Sequence, residues 1–181
     1  MRMADEIQLT PTSYIVLGLL SMFPAEATPY DLKRAAAASV GLFWTLPHSQ
    51  LYAEPARLAR AGYVSENQEQ SGRRRKLYSL TGTGRAALED WLGVFTPEPY
   101  VLRDPALLKL FFGADAHNLA EGQLATHRQK LAEYEAYAAH DTGDGPRGPW
   151  GALDLGIRHE RETISFWAEQ ARVDEKDSEE S

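Results

Sequence analysis

Residues 48–84 read HSQLYAEPARLARAGYVSENQEQSGRRRKLYSLTGTG, and this stretch decides the fold. Its first third carries Leu51, Pro55, Leu58 and Gly62 on one face at helical spacing. A helix over His48 to Ala61 is predicted, stopped at Gly62, because glycine accepts the left-handed backbone that closes a helix. Tyr63–Asn67 and Lys76–Leu80 then read as two strands joined through a turn at Ser71-Gly72. Four cations, Arg73, Arg74, Arg75 and Lys76, follow that turn directly.

Upstream, Pro11 to Phe23 forms a first helix, with Pro11 suited to its first turn and Tyr14, Leu17 and Leu20 on an apolar stripe. Thr28-Pro29-Tyr30-Asp31 is a second helix start: Thr28 caps, proline needs no amide at the first position, and Asp31 complements the helix dipole. That helix is expected to reach Val40. In the following loop, Phe43, Trp44 and Leu46 are too apolar to be idle on a surface. A fourth helix is expected after Thr81, to about Val94, with Ala87, Leu88, Trp91 and Leu92 inward.

Helix, helix, helix, strand, basic turn, strand is the order of a winged helix-turn-helix, in residues 1–95. Thr96-Pro97-Glu98-Pro99 is a stiff boundary. Beyond it come a short helix (Asp104 to Phe112), a long amphipathic one (Leu119 to His140), a loop at Asp141 to Pro149, and a last helix (Trp150 to Arg172). Three such helices do not easily bury all their apolar faces in one subunit, so residues 96–172 read as a helical dimerisation domain. Leu124, Leu131, Leu153, Ile157, Ile164 and Trp167 are the expected dimer contacts. Residues 173–181 read as an acidic disordered tail. The fold class is thus mainly α, with a two-stranded wing.

The 181 residues hold two small domains, and the charge divides between them. The net −7 separates into 10 basic against 9 acidic residues over 1–95, and 9 against 17 over 96–181. A local basic cluster acts within about 8–10 Å, so a distant acidic domain does not veto a polyanionic partner. No cysteine is present, which excludes a disulfide framework, a thiolate metal site and cysteine nucleophile chemistry. Met1 to Thr10 has no apolar core of a signal peptide, and the apolar run Tyr14 to Leu20 is too short to span a bilayer. A cytoplasmic protein with no membrane partner is expected. His48, His117, His127, His140 and His159 are scattered, and His159-Glu160 lacks the second histidine of a zinc-protease helix. Neither an enzyme nor a cofactor is indicated.

The chemistry therefore points to double-stranded DNA. Arginines on a wing suit phosphate contact and narrow minor grooves. On the third helix, His48, Ser49 and Gln50 lie in the first turn, where base edges come within reach. Gln50 suits adenine, Ala53 a thymine methyl, Tyr52 backbone phosphate, and Arg57 phosphate or guanine. Ser49 reads equally well as a simple helix cap. Glu54 is expected on the same outward face, where it repels phosphate unless it pairs with Arg57 or accepts from cytosine. Glu54, Glu66 and Glu69 keep open a rival reading, a winged-helix protein-interaction module without DNA binding.

Several motifs in order resemble the PadR family of transcriptional regulators: Tyr14-Ile15-Val16-Leu17-Gly18-Leu19-Leu20, Pro29-Tyr30-Asp31-Leu32, Ser49-Gln50-Leu51-Tyr52 with Arg57-Leu58 and Gly62-Tyr63-Val64, and Tyr78-Ser79-Leu80-Thr81-Gly82-Thr83-Gly84. The likeness covers about residues 12–95, and the remainder resembles the virulence-activator-like C-terminal domain of PadR relatives. The chain departs from the pattern at Pro29, where a glycine is usual, and at Pro55, since a mid-helix proline can cost about 3 kcal/mol. The resemblance implies a homodimer with its last helix across the two-fold, and repression relieved by a small effector of unknown identity. Trp91, Trp150, Phe166 and Trp167 are candidates to line an effector pocket, although aromatics at helical spacing more often serve core or interface.

Overall fold

The structure, a computed structural model, is described for residues 7–69, 74–97, 102–140 and 147–179, with backbone alone for residues 48, 147 and 173–179. Arg73, the Ser71-Gly72 turn, Glu98-Pro99 and residues 141–146 lie outside the described residues, as do Ser181 and Glu180 of the expected tail. The chain divides into two units, Met1–Pro97 and Glu98–Ser181.

In the first unit, three threonine side chains start three helices. Thr10 accepts from the Ser13 amide ahead of α1 (Pro11–Met22). Thr28 accepts from the Asp31 amide ahead of α2 (Pro29–Ala37), while the Asp31 carboxylate accepts from the Thr28 amide at 3.0 Å and its hydroxyl at 2.6 Å. Those two bonds, the side-chain one foremost, hold the Asp31 carboxyl below its ordinary range. Thr81 accepts from the Gly84 amide ahead of α4 (Gly82–Gly93). Helix α2 stops short of the expected Val40 because Ser39 leaves helical geometry (φ −146°), and Val40–Leu42 forms a separate 3-10 turn.

Helix α3 (His48–Arg60) closes at Gly62, whose φ of 82° is the left-handed value its position demands. Strands β1 (Val64–Gln68) and β2 (Lys76–Leu80) pair antiparallel, with Val64 opposite Leu80 and Gln68 opposite Lys76. Ala27 bonds to the other side of β2, exchanging two 2.8 Å backbone hydrogen bonds with Tyr78. A Cβ at Gly84 would lie 2.0 Å from the Tyr63 carbonyl oxygen, so α4 abuts the chain reversal after α3 as only glycine permits.

Leu17, Leu32, Leu58 and Tyr78 are buried at the centre of this unit. On α4 only Leu88 of the expected inward set is buried. Trp91 is 46% exposed while stacked on Tyr14 (centroids 4.6 Å apart), and Leu92 is exposed, because α4 meets α1 along a narrow stripe. Phe43 and Trp44, too apolar to be idle on a surface, are exposed in this chain.

The second unit contains α5 (Pro105–Phe111), α6 (Ala116–Ala139) and α7 (Arg147–Glu179). Asp104 and Asp115 cap the first two, at 2.7 Å from the Ala106 amide and 2.6 Å from the Asn118 amide. Helix α7 starts before the expected Trp150, since Pro149 fits a first turn, and takes in residues 147–149 of the anticipated loop. Its backbone also continues past Arg172 to Glu179, where glutamates and lysine are good helix formers. The long α6–α7 pair fits together at Gly156, where a Cβ would lie 2.9 Å from the Tyr134 ring, and His127 Nδ1 lies 2.6 Å from the buried Glu160 carboxylate. Among the described residues, no helix is long and apolar enough to cross a membrane.

Candidate nucleic-acid interface

Helix α3 presents Ser49, Gln50, Tyr52 and Ala53 to solvent; the His48 side chain lies outside the described residues. The residue preceding the helix is Pro47, which makes no side-chain capping bond. Ser49 is therefore not the cap, and among the described residues no side chain caps the positive end of the helix dipole. Gln50 is steadied from α1, its Oε1 accepting from Thr12 Oγ1 at 3.2 Å. Pro55 lies inside the helix and is fully buried, on the core face with Leu51 and Leu58.

Glu54 corrects the expectation of an outward carboxylate, since it is buried against α1. The fully buried Ser13 hydroxyl donates to Glu54 Oε1 at 2.7 Å. Arg57 donates through Nε to Glu54 Oε2 at 2.9 Å and through Nη2 to Glu54 Oε1 at 2.7 Å. The same guanidinium reaches Ser13 Oγ at 2.9 Å and the Gln8 carbonyl at 3.3 Å. Burial pushes the Glu54 carboxyl up, but the bonds from Arg57 and Ser13 outweigh it and hold the group below its usual range. Arg57, expected to reach DNA, thus ties α3 to α1. Spacing along α3 allows the Glu54–Arg57 pair but misses the burial, because the second partner of the carboxylate, Ser13, comes from α1.

Arg74, Arg75 and Lys76 have partners on β1 or at the residue that follows it. Arg75 forks onto Glu69, Nε at 3.0 Å from Oε2 and Nη2 at 2.7 Å from Oε1. Lys76 Nζ lies 2.8 Å from Glu66 Oε1, and the Tyr78 hydroxyl donates to Glu66 Oε2 at 2.9 Å. Burial, then the Glu66 contact, pushes Tyr78 up to about 12. Lys76 holds Glu66, and Arg75 holds Glu69, below the ordinary carboxylate range. Arg74 takes a left-handed backbone (φ 48°) and bonds with Gln68. A shallow depression of about 310 Å³, lined by Ala56, Ala59, Arg60, Glu66 and Lys76, joins the second half of α3 to the hairpin.

The aromatic candidates separate. Trp91 belongs to the first unit, and Trp150, Phe166 and Trp167 to the second. Trp167 is fully buried with Ala106 and Ala120, edge-on to Phe166 at 5.1 Å, and its Nε1 has no partner among the described residues. It packs its own subunit, which corrects its assignment to a dimer surface. Leu124 packs against the same cluster, whereas Leu131, Leu153, Ile157 and Ile164 are half-buried. Sequence reading missed the exposed Leu108, Phe111, Phe112 and Leu155, and an apolar depression of about 560 Å³ lined by Leu102, Pro105, Leu107 and Leu108 among others.

Comparison with known proteins adds independent findings. Residues 16–90 match the transcriptional regulator PadR-like family, and residues 102–173 match the virulence activator alpha C-terminal domain. The chain is 31% identical over 129 residues to the negative transcriptional regulator PadR of Bacillus subtilis (strain 168), covering 67% of this chain and 70% of that one. The crystal structure of Bacillus subtilis PadR in complex with operator DNA is similar at a TM-score of 0.75 and 27% identity, covering 87% of this chain and 95% of that chain. The Vibrio cholerae virulence activator AphA is similar at 0.65 and 25% identity, covering 88% and 95%.

Proposed function

The chain belongs to the PadR-like family of transcriptional regulators, and we propose that it acts in the cytoplasm as a dimeric, sequence-specific DNA-binding repressor relieved by a small effector. The observation that carries this reading is one compact unit combining an α3 without a side-chain cap, its Ser49, Gln50, Tyr52 and Ala53 exposed, with a hairpin bearing Arg74, Arg75 and Lys76. The helix supplies base contacts, with Gln50 and Ala53 in its first two turns. The cations, Arg73 among them, supply sequence-independent attraction, each phosphate neutralised steepening the salt dependence by about 0.9 in log–log slope. The relative crystallised with operator DNA supports the same partner here.

Self-association through the second unit accounts for the exposed Leu155 and the half-buried Leu153 and Ile157 on α7. Binding as a dimer sets two half-sites about 34–36 Å apart or a multiple of that. The effector's place is left to Trp150 and Phe166 on α7 and the apolar depression beside α5.

A footprint on the promoter of the protein's own gene, followed by anisotropy titration at two salt concentrations, tests the reading. Binding that weakens steeply with salt is expected, and Arg73→Ala with Arg74→Ala weakens it for every sequence. Unchanged affinity in that double variant removes the wing from the mechanism. A second reading, a protein-interaction module without DNA binding, draws on Glu69 and Glu66 already engaging Arg75 and Lys76. The absence of any footprint would favour it.

A further inference from the structure

We infer that Glu69 and Glu66 attenuate the wing's hold on DNA of any sequence, by occupying Arg75 and Lys76 with carboxylates built into the same hairpin. The inference rests on the DNA-binding reading and assigns these acids a role within it. The Arg75 fork, the donor geometry that a phosphate would use, is closed on Glu69 through Nε and Nη2. Glu69 is itself fixed beside it: its amide donates to the Arg75 carbonyl at 3.1 Å, and the Arg75 amide lies 3.3 Å from Glu69 Oε2. Glu66 is anchored likewise, one oxygen on Lys76 Nζ and the other on the hydroxyl of the buried Tyr78.

Both pairs are exposed on the cation side, so a phosphate can displace the carboxylate. The displaced acid stays on the hairpin, within a few ångströms of the incoming phosphate, and repels it. The freed carboxylate keeps a cation beside the phosphate, so binding releases less net counterion from the DNA, which also flattens the salt dependence. Glu69 therefore acts through Arg75, and Glu66 through Lys76.

The test uses the full-length protein, a random-sequence duplex and fluorescence anisotropy across a salt series. Glu69→Gln is expected to tighten binding about two- to five-fold at low salt. Its log–log salt slope should steepen by about 0.9, as for one additional free cation. In an Arg75→Gln background the same substitution should tighten binding clearly less, because only the direct repulsion by the carboxylate is then left to relieve. Glu66→Gln, which retains an acceptor for Tyr78, should behave alike through Lys76. Unchanged or weaker binding by Glu69→Gln overturns the inference. So does equal tightening in the Arg75→Gln background, which would assign the effect to net charge alone. A wild-type protein that binds neither this duplex nor its own promoter at any salt sinks the DNA-binding reading, and the inference with it. Salt-sensitive wild-type binding that Glu69→Gln leaves untouched sinks the inference alone.

Discussion

The two units differ in the kind of core they build. The first closes Val16, Leu17, Leu32, Leu58 and Tyr78 around one centre and leaves Met22, Phe43, Leu92, Val94 and Phe95 exposed about its margin. The second reaches comparable burial at Ala120 and Trp167 while leaving Leu108, Phe111, Phe112 and Leu155 in solvent. A sheet and four helices can enclose a centre alone; two long helices side by side enclose only a seam. The first unit is therefore read as self-sufficient, the second as completed by another copy.

The strongest way to break this contrast is to charge the second unit. Leu153→Glu with Ile157→Glu should convert a dimer wholly to monomer at micromolar concentration, since unpaired carboxylates tolerate burial poorly. Light scattering checks it, and a wild-type protein that is already monomeric would end the idea. Next in size, Leu58→Ala should destabilise the first unit by about 2–5 kcal/mol. Leu155→Ala should alter subunit stability by about 0.5 kcal/mol or less, as surface changes do. Comparable losses in thermal or denaturant melts would erase the distinction.

Smaller effects sharpen it within the first unit. Ser13→Ala removes the hydroxyl from a buried carboxylate and should cost about 1–3 kcal/mol. Glu54 gives that network a pH signature. Its folded value lies below the ordinary 4.5, so its contribution is complete above that pH and is lost as the pH falls through the folded value. Glu54→Gln should flatten the acid limb of the stability curve; an unaltered limb would place acid sensitivity elsewhere. Thr28→Ala should cost about 1 kcal/mol through its cap.

These effects also separate what the chain's residues announce from what they conceal. Caps and stops are local, so Thr28-Pro29, Thr81 and Gly62 declared their helix ends, and the arginine-rich hairpin declared the wing. The pairing of Glu54 with Arg57 was open to the sequence. Their contacts to Ser13 on α1 and to the Gln8 carbonyl just ahead of it stayed hidden, since those groups lie over forty residues away. The Glu66–Lys76 pair needs the β1–β2 register, which Glu66 opposite Tyr78 fixes and spacing alone does not. Leu92 and Trp167 were misjudged because periodicity shows that a face is apolar but not which neighbour covers it.

The pair of backbone bonds between Ala27 and Tyr78 has a mechanical consequence. It stitches the approach to α2 onto the hairpin's inner strand, and α2 in turn packs on α3. Helix and hairpin consequently meet a duplex as a rigid stamp with little freedom to adjust their spacing. On the proposed operator complex, the accommodation falls to the DNA, and base steps that bend easily between the contacted grooves would be selected although no side chain touches them.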